Sequence, residues 1–422
     1  MNRILYFPIS ILLTFLVFTE ILFFISPRMW NINNEISLIS YLLLMNISLY
    51  WGYRAGIKYS IKTTIWRPSQ KVMNGIIVLA FLFKIFLFLA NNNFSIFTVA
   101  HNFFNAFYDI GQAYNGRDLK LNVTLYLTGQ FLSPLIFMAY VLGICNWKQL
   151  RKKYRIFYVI IIFIELINWF SVGVRKGILD IFLIIFVSYL ISNYDIIRDR
   201  AKLRKLKLYF ILFVIVFLSF FLVSNLARMY QYDSFTEMLD NTEAPIRPFY
   251  LKYLPKIFVM PIISISSYLC QGYYALACAL EEGVIFPNLL ATNVFTVNIA
   301  ERFDYDPLAN SYLDILNTKY GISPIINWHS IYVWLANGFT FLGVPVFIYF
   351  IGFMLANSWK NSILKKDYIA MPLFVVLFQT VFYFFANNQV FSFSFFVVTF
   401  FLGTYIFNFG NYRVYKNISN LS

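Results

Sequence analysis

Long apolar runs separated by short basic segments are the feature that most constrains this chain. Several runs carry no charge, or a single one, over roughly 17–25 residues, the length that crosses a bilayer as an α-helix. With 60% hydrophobic and only 13% charged residues, a soluble domain is excluded. Lipid offers the backbone no hydrogen-bond partners, so the sequence predicts an all-α polytopic integral membrane protein. The predicted spans are 4–25, 36–53, 73–90, 123–145, 156–174, 177–193, 208–227, 332–356, 368–386 and 391–410.

Most of the 34 lysines and arginines lie on one side of these spans if the N-terminus is placed in the cytoplasm. The segments then expected inside hold basic clusters such as Lys148 to Arg155 and Arg198 to Lys207. Only three acids, Asp195, Asp199 and Asp367, accompany them. The positive-inside rule therefore places both termini in the cytoplasm. Since the net charge of +15 is explained as a topology signal, no nucleic-acid partner is expected.

Two segments expected outside are long. Segment 91–122 is rich in aromatic residues and is predicted to lie along the membrane interface as an amphipathic helix. Segment 228–331 is a large external loop, and loops of this length are usually functional. It separates an N-terminal membrane region, 1–227, of about seven spans from a C-terminal region, 332–422, of about three. Within it, 257–280 and 283–300 are predicted to be re-entrant or interfacial; the alternative is an extra hairpin, giving twelve spans.

Arg175 and Lys176 stand side by side in a short turn between two spans, on the side predicted to be external. Insertion does not require cations there. Glu20, Lys84 and Asp180 also fall in the outer halves of their spans, so we expect a polar cavity that opens outward. The alternative is a pair of ordinary cations at a span end, with Lys176 bound to Asp180 one helical turn later.

Three stretches, GVRKGILDIFLIIF, SSYLCQGYYALACAL and HSIYVWLANGFTFLGVPVFIYFIGF, together resemble bacterial oligosaccharide repeat-unit polymerases of the Wzy type, which build O-antigens and capsules. More distantly they resemble O-antigen ligases. The first is similar to the family's arginine-containing turn and apolar span, the second to a segment of its long external loop. The third is similar to a loop-end histidine followed by a glycine-rich span. There a glycine is often expected eleven positions after the histidine, but Thr340 stands at that place and only Gly343, three residues on, fits.

The resemblance implies a GT-C-like fold of about 10–12 transmembrane helices with a long external loop. It implies a glycosyltransferase that polymerises undecaprenyl diphosphate-linked oligosaccharides into O-antigen (lipopolysaccharide) or capsule at the external face of the bacterial cytoplasmic (inner) membrane. Membrane lipid, a chain-length regulator protein and a flippase are the further partners it implies. No cofactor or metal is expected, because the diphosphate is already an activated leaving group and no ATP-binding signature or metal-ligand spacing is present.

Arginine is the side chain best suited to bind a leaving diphosphate, since its guanidinium stays charged and can bind two oxygens at once. Arg175 is the first candidate for this role, as a catalytic and diphosphate-binding residue, with Lys176 as a neighbouring point charge. Arg228 is the second. Arg247 and Arg302 follow, and each is explained equally well by salt bridges within the loop.

His329 is the candidate catalytic base. It is one of only two histidines and lies at the end of the external loop. A histidine with an ordinary pKa near 6.5 can accept a proton from a sugar hydroxyl. The alternative is a residue that packs against its aromatic neighbours. A loop acid is the other candidate base, namely Glu301, Asp304 or Asp306.

Two other functions stay open. An O-antigen ligase would transfer the finished glycan to a different acceptor, and only the glycine spacing bears on that choice. A flippase or other transporter would show internal repeats, polar residues at mid-membrane and short loops on both sides. This chain has no evident repeat, its intramembrane charges lie toward the outer side and one loop is very long, which favours an enzyme.

Overall fold

The structure, a computed structural model, describes residues 2–61, 65–91, 97, 123–171, 176–229, 245–253, 256–324, 327, 329–387, 390, 394–407 and 414–416. Apart from one pair of three-residue strands, the regular structure in these residues is helical, which confirms the predicted class. The α-helices are α1 (Asn2–Ile25), α2 (Glu35–Lys58), α3 (Gln70–Asn91), α4 (Val123–Cys145), α5 (Lys152–Ser171), α6 (Lys176–Ser192), α7 (Arg200–Met229), α8 (Pro248–Tyr253), α9 (Lys256–Leu280), α10 (Val294–Glu301), α11 (Tyr312–Tyr320), α12 (Ile331–Leu364), α13 (Ala370–Phe382) and α14 (Phe395–Phe407).

A helix lies at each of the ten predicted spans. Within the described residues, five helices are long and apolar enough to cross a membrane, namely α1, α2, α3, α4 and α12. Two shorter apolar helices, α13 and α14, follow them. These helices identify the chain as a helical membrane protein.

Helices α2 and α12 run parallel and pack closely through glycines. A Cβ atom added at Gly52 would lie 2.0 Å from the carbonyl oxygen of Tyr349, and one at Gly352 would lie 2.4 Å from that of Leu49. Small residues allow such close backbone approach, and van der Waals packing is a main source of helix association in lipid. The contact joins the N-terminal region to the C-terminal one in a single core.

The end of α2 also meets the C-terminal tail. Strand β1 (Tyr59–Ile61) pairs antiparallel with β2 (Val414–Lys416), with Tyr59 opposite Lys416. Both strands belong to segments predicted to be cytoplasmic, so the structure places these two segments on the same side.

Helix α12 is interrupted at Thr340, whose φ of 56° and ψ of 165° are not helical. The buried Asn337 ties the external loop to the helix just before this break. Its side-chain amide donates to the carbonyl oxygen of Ala291 at 3.1 Å, and its Oδ1 accepts from the backbone N–H of Tyr312 at 3.0 Å. The carbonyl oxygen of Asn337 accepts a further hydrogen bond, at 2.6 Å, from the backbone N–H of Asn288.

The described part of the large loop is mostly helical. Segment 257–280, predicted to enter the membrane, corresponds to α9, which packs against α1 and α12. Segment 283–300, predicted to be re-entrant or interfacial, runs without helix to residue 288, makes a 3-10 turn over Leu289–Thr292 and then forms the eight-residue α10. The predicted interfacial helix at 91–122 lies outside the described residues, except for residues 91 and 97.

Candidate functional site

A cavity of about 320 Å³ lies where α3, α4, α5, α6, α13 and the start of α14 meet. It is lined by the C-terminal parts of α3, α5 and α13 and by the N-terminal parts of α4, α6 and α14. All six of these helix ends were predicted to be external. The structure therefore gathers them at one end of the bundle, as the predicted alternation of the spans requires.

One wall of the cavity holds an ion pair between Lys84 of α3 and Glu165 of α5. The Glu165 carboxylate also accepts a hydrogen bond from the Tyr140 hydroxyl at 2.9 Å and one from the Trp169 indole N–H at 2.7 Å. Both of its oxygens are used, and its donors come from three helices. We describe this group as the closed pair.

A second ion pair, between Lys176 and Asp180 of α6, lines the same cavity, with Nζ 2.5 Å from Oδ2. The Lys176 ammonium also lies 5.1 Å from the centre of the Tyr383 ring. The Asp180 carboxylate also interacts with the hydroxyl of Tyr383, which is buried, and the second oxygen of Asp180, Oδ1, is buried as well. We describe this group as the open pair. The pairing of Lys176 with Asp180 considered from the sequence is thus observed, in a residue that also faces the cavity.

The charges of the two pairs cancel, since the described lining residues include two lysines and two carboxylates. Arg175 precedes Lys176 directly but lies outside the described residues. Burying ionised groups is costly unless partners and hydrogen bonds compensate for the lost water. A polar cavity lined by two carboxylates is therefore suited to take up a ligand that supplies hydrogen-bond donors.

Glu20 does not belong to this cavity, although the sequence suggested that it would. It lies on α1, and its two carboxylate oxygens are each 2.9 Å from the Asn46 amide nitrogen of α2. The difference arises because α1 packs on α2 and α9, whereas Lys84 and Asp180 lie on helices that surround the cavity.

Arg247 donates hydrogen bonds to backbone carbonyls at the C-terminal end of α1. Its Nε donates to the carbonyl oxygen of Ser26 at 3.0 Å and its Nη2 to that of Phe24 at 2.9 Å, while its backbone N–H donates to Pro27. A cation at a helix C-terminus satisfies the unpaired carbonyls there and the negative end of the helix dipole. Its hydrogen bonds fasten the start of the described loop segment to the membrane bundle.

The remaining predicted diphosphate ligands are not brought to the cavity by the described structure. Arg302 is exposed and follows the last residue of α10. Arg228 lies in the last turn of α7, and its side chain is outside the described part of the chain. The loop acids Glu301, Asp304 and Asp306 are exposed.

His329 is fully buried just before α12. Its backbone N–H donates to Oδ1 of Asn387 at 2.5 Å, and its carbonyl accepts from the backbone of Asn387. In the ring, Nδ1 lies 3.2 Å from the carbonyl oxygen of Asn327, and the backbone of Ile322 is a second hydrogen-bonding neighbour. Burial lowers its pKa to about 4, although the carbonyls of Asn327 and Ile322 act in the opposite direction. The imidazole is therefore neutral at pH 7, and it is not among the described residues that line the cavity.

The sequence did not identify Glu165, Tyr140, Trp169 or Gln379 as parts of one site. Gln379 lines the cavity and donates to the backbone oxygen of Asp180 at 3.1 Å. A signal was present for Glu165, because it is the single charge within span 156–174 and an intramembrane charge requires a partner. The sequence does not state that this partner is Lys84, which lies on another helix.

Within the part of the chain that the structure describes, no group of three or more His, Cys, Asp or Glu side chains is placed to hold a metal ion. Comparisons with known protein families, curated proteins and solved structures give no match for this chain.

Proposed function

We propose that the chain polymerises undecaprenyl diphosphate-linked oligosaccharide repeat units into a surface polysaccharide, and that the cavity between α3, α4, α5, α6 and α13 is its reaction site. In this proposal the fold is GT-C-like with 10–12 spans. It sits in the bacterial inner membrane with both termini in the cytoplasm. The observation that carries the proposal is the position of Lys176: it lines a polar cavity and directly follows Arg175 in the turn that resembles the polymerase family.

The size and charge of the cavity support a headgroup as ligand. Small-ligand pockets are usually about 300–1,000 Å³, and this cavity is at the lower end of that range, at about 320 Å³. It suits a diphosphate with its first sugar, while the polyprenyl chain remains in lipid. Because the described charges cancel, the cation of Arg175 would give the site a positive balance that favours the diphosphate.

Lys176 and Asp180 suggest how binding and chemistry are linked. A diphosphate competes with Asp180 for the Lys176 ammonium, and a carboxylate that loses its cation becomes a better proton acceptor. Asp180 Oδ1, a buried carboxylate oxygen, then accepts a hydrogen bond from a hydroxyl of the incoming repeat unit. Asp180 is thus the base of the proposed reaction, because His329 is buried away from the cavity.

The step transfers a glycan from one oxygen to another. The hydroxyl oxygen of the incoming unit forms a bond to the anomeric carbon of the growing chain, and the bond from that carbon to the diphosphate breaks. The electron pair leaves with the diphosphate, where Arg175 and Lys176 neutralise the new charge. The hydroxyl proton passes to Asp180 and returns to water when the diphosphate departs. A fixed donor at such a leaving group contributes about 3–4 kcal/mol to the transition state.

The test is the surface-glycan ladder of cells whose only copy carries Arg175→Ala, with the amount of protein in the membrane measured in parallel. We expect the ladder to be lost and single repeat units to remain on the final acceptor. Lys252→Ala removes an exposed cation of the external loop and is the matched control, which should leave the ladder intact.

Other outcomes point to other functions. An unchanged ladder in the Arg175→Ala cells would contradict the proposed site. Loss of all glycan from the final acceptor, with long chains still on the lipid carrier, would indicate a ligase. Repeat units that accumulate on the cytoplasmic face would indicate a flippase.

A further inference from the structure

The external loop carries large apolar side chains that no other described part of the protein covers. Val284 is 82% exposed, Phe286 94%, Leu289 61% and Phe303 80%. We call these four side chains the loop patch. Several large apolar side chains exposed in one segment of a surface usually mark an interaction site.

The backbone that presents the patch is held in place by hydrogen bonds. The Asn288 side chain accepts from the N–H of Leu290 at 3.0 Å and donates to the carbonyl oxygen of Pro307 at 3.0 Å. The Tyr312 hydroxyl donates to the carbonyl oxygen of Gly283 at 3.2 Å. The exposure of the patch is therefore set by a backbone that hydrogen bonds hold in one conformation.

The break in α12 shows at which level of the membrane the patch lies. Residues 341–364, after the break, form a helix of about 36 Å at a rise of 1.5 Å per residue. That length already exceeds the hydrocarbon core of about 30 Å. Leu342 and Val346, the first exposed residues after the break, are 86% and 70% exposed and begin a lipid-facing surface. Thr340 thus marks the boundary at the end of α12 predicted to be external.

The loop patch touches α12 at this boundary. A Cβ atom at Gly338 would lie 2.4 Å from the Thr292 methyl and 3.0 Å from a methyl of Leu289. Leu289 therefore lies beside the last helical turn before the break, and the patch continues the lipid-facing surface that starts at Leu342.

A second contact independently places the loop patch at the same depth relative to the membrane helices. The Asn34 amide donates to the carbonyl oxygen of Ala277 at 2.8 Å. This bond places the start of α2, with the 82% exposed Ile36, beside the end of α9, just before the residues of the loop patch. Two membrane helices thus locate the loop at one end of the bundle.

We propose that the loop patch inserts into the headgroup–acyl boundary of the adjacent lipid leaflet, so that this part of the external loop is a membrane-bound surface. Lipid is the occupant because the patch is continuous with the lipid-facing side of α12 at the level where the hydrocarbon core ends. The charged neighbours of Phe303, Arg302 and Asp304, are exposed and suit the polar side of this boundary. The proposal does not depend on the reaction proposed above.

The test uses the full-length chain in bilayer nanodiscs of phosphatidylethanolamine and phosphatidylglycerol. A nitroxide spin label is attached at Phe286→Cys, after the half-buried Cys145 and the buried Cys270 and Cys278 have been replaced by alanine. Collision rates with oxygen, which dissolves in lipid, and with a water-soluble nickel chelate report the surroundings of the label. The matched control is a label at Asp306→Cys, an exposed acid in the same loop.

At a depth of about 5–10 Å in the interface, the label at residue 286 should collide several-fold more with oxygen, relative to nickel, than the label at residue 306. A label at Val284→Cys should behave in the same way. Equal nickel accessibility at residues 286 and 306 would overturn the proposal, because the patch would face water. A label at 286 that neither reagent reaches would also overturn it, because a protein partner would then cover the patch.

Discussion

The closed and open ion pairs share one cavity but differ in how completely their carboxylates are bound. Glu165 receives Lys84, Tyr140 and Trp169 from three helices, whereas Asp180 receives Lys176 of its own helix and interacts with the Tyr383 hydroxyl. A fully satisfied buried network makes a structure rigid, while a carboxylate with fewer donors can still accept a hydrogen bond from a ligand. The difference separates a charge that holds helices together from one that is available for a substrate.

The largest expected effect on folding is from breaking the closed pair. Glu165→Gln keeps an acceptor for Tyr140 or Trp169 but leaves Lys84 as an uncompensated charge, which should lower the free energy of unfolding by about 3 kcal/mol. The matched double variant Lys84→Met with Glu165→Gln removes that charge and should recover at least half of the loss. Denaturant unfolding in detergent micelles measures both. If the double variant is no more stable than Glu165→Gln, the loss of stability does not come from the uncompensated charge of Lys84.

The open pair should respond more weakly. Asp180→Asn leaves Lys176 without its carboxylate, but the ammonium keeps its contact with the Tyr383 ring and lines the cavity, so the free energy of unfolding should fall by about 1 kcal/mol, less than for Glu165→Gln. Removal of a general base costs about 100-fold or more in rate. Chain extension from purified lipid-linked repeats in proteoliposomes would measure this loss. If Asp180→Asn extends chains at the wild-type rate, Asp180 is not the base of the reaction. If Asp180→Asn is as unstable as Glu165→Gln, the two ion pairs do not differ in how they support the fold.

His329 offers a third case, a buried imidazole that does not line the cavity. Burial lowers its pKa to about 4, so between pH 6.5 and 4 the unfolded chain binds more protons than the folded one. The stability that its neutral ring provides is thus present above pH 6.5 and is lost as the pH falls toward 4. The loss should be about 2–3 kcal/mol between pH 7 and 4.5.

The variant His329→Asn should flatten this pH dependence. Unfolding measured at pH 7 and pH 4.5 in the same detergent provides the check. If the wild type and the variant lose equal stability over this range, the histidine is not the group that titrates. A group in the cavity would then be expected to carry the pH dependence.

The sequence predicted the helices far better than it predicted the site. All ten apolar segments coincide with helices, because each is defined by a local property, the run of apolar side chains. Local charge also predicted which helix ends share a side, and the six ends around the cavity lie together as that prediction requires. Segment 283–300 shows the limit of this reasoning: its apolar residues do not form one long helix but a turn and a short helix held by Asn337.

The predicted cations show the same limit. Lys176 reached the cavity, whereas Arg247, chosen on equal grounds of residue type and side, binds the carbonyls at the end of α1. Lys84 and Asp180 were expected in a common cavity and are found there, but Glu20 is not. Residue type states what chemistry a side chain can perform, but its partners decide whether it is available.

By itself, the sequence determined that this chain is a helical membrane protein, where its apolar helices lie and which of the helix ends around the cavity belong together, since hydropathy and charge act residue by residue along the chain. Only the tertiary structure decided that Lys84 meets Glu165 across two helices, that His329 is buried and that Thr340 interrupts α12. These features depend on contacts between residues far apart in the chain, and the free energy of such contacts is set by packing and desolvation that no single segment contains.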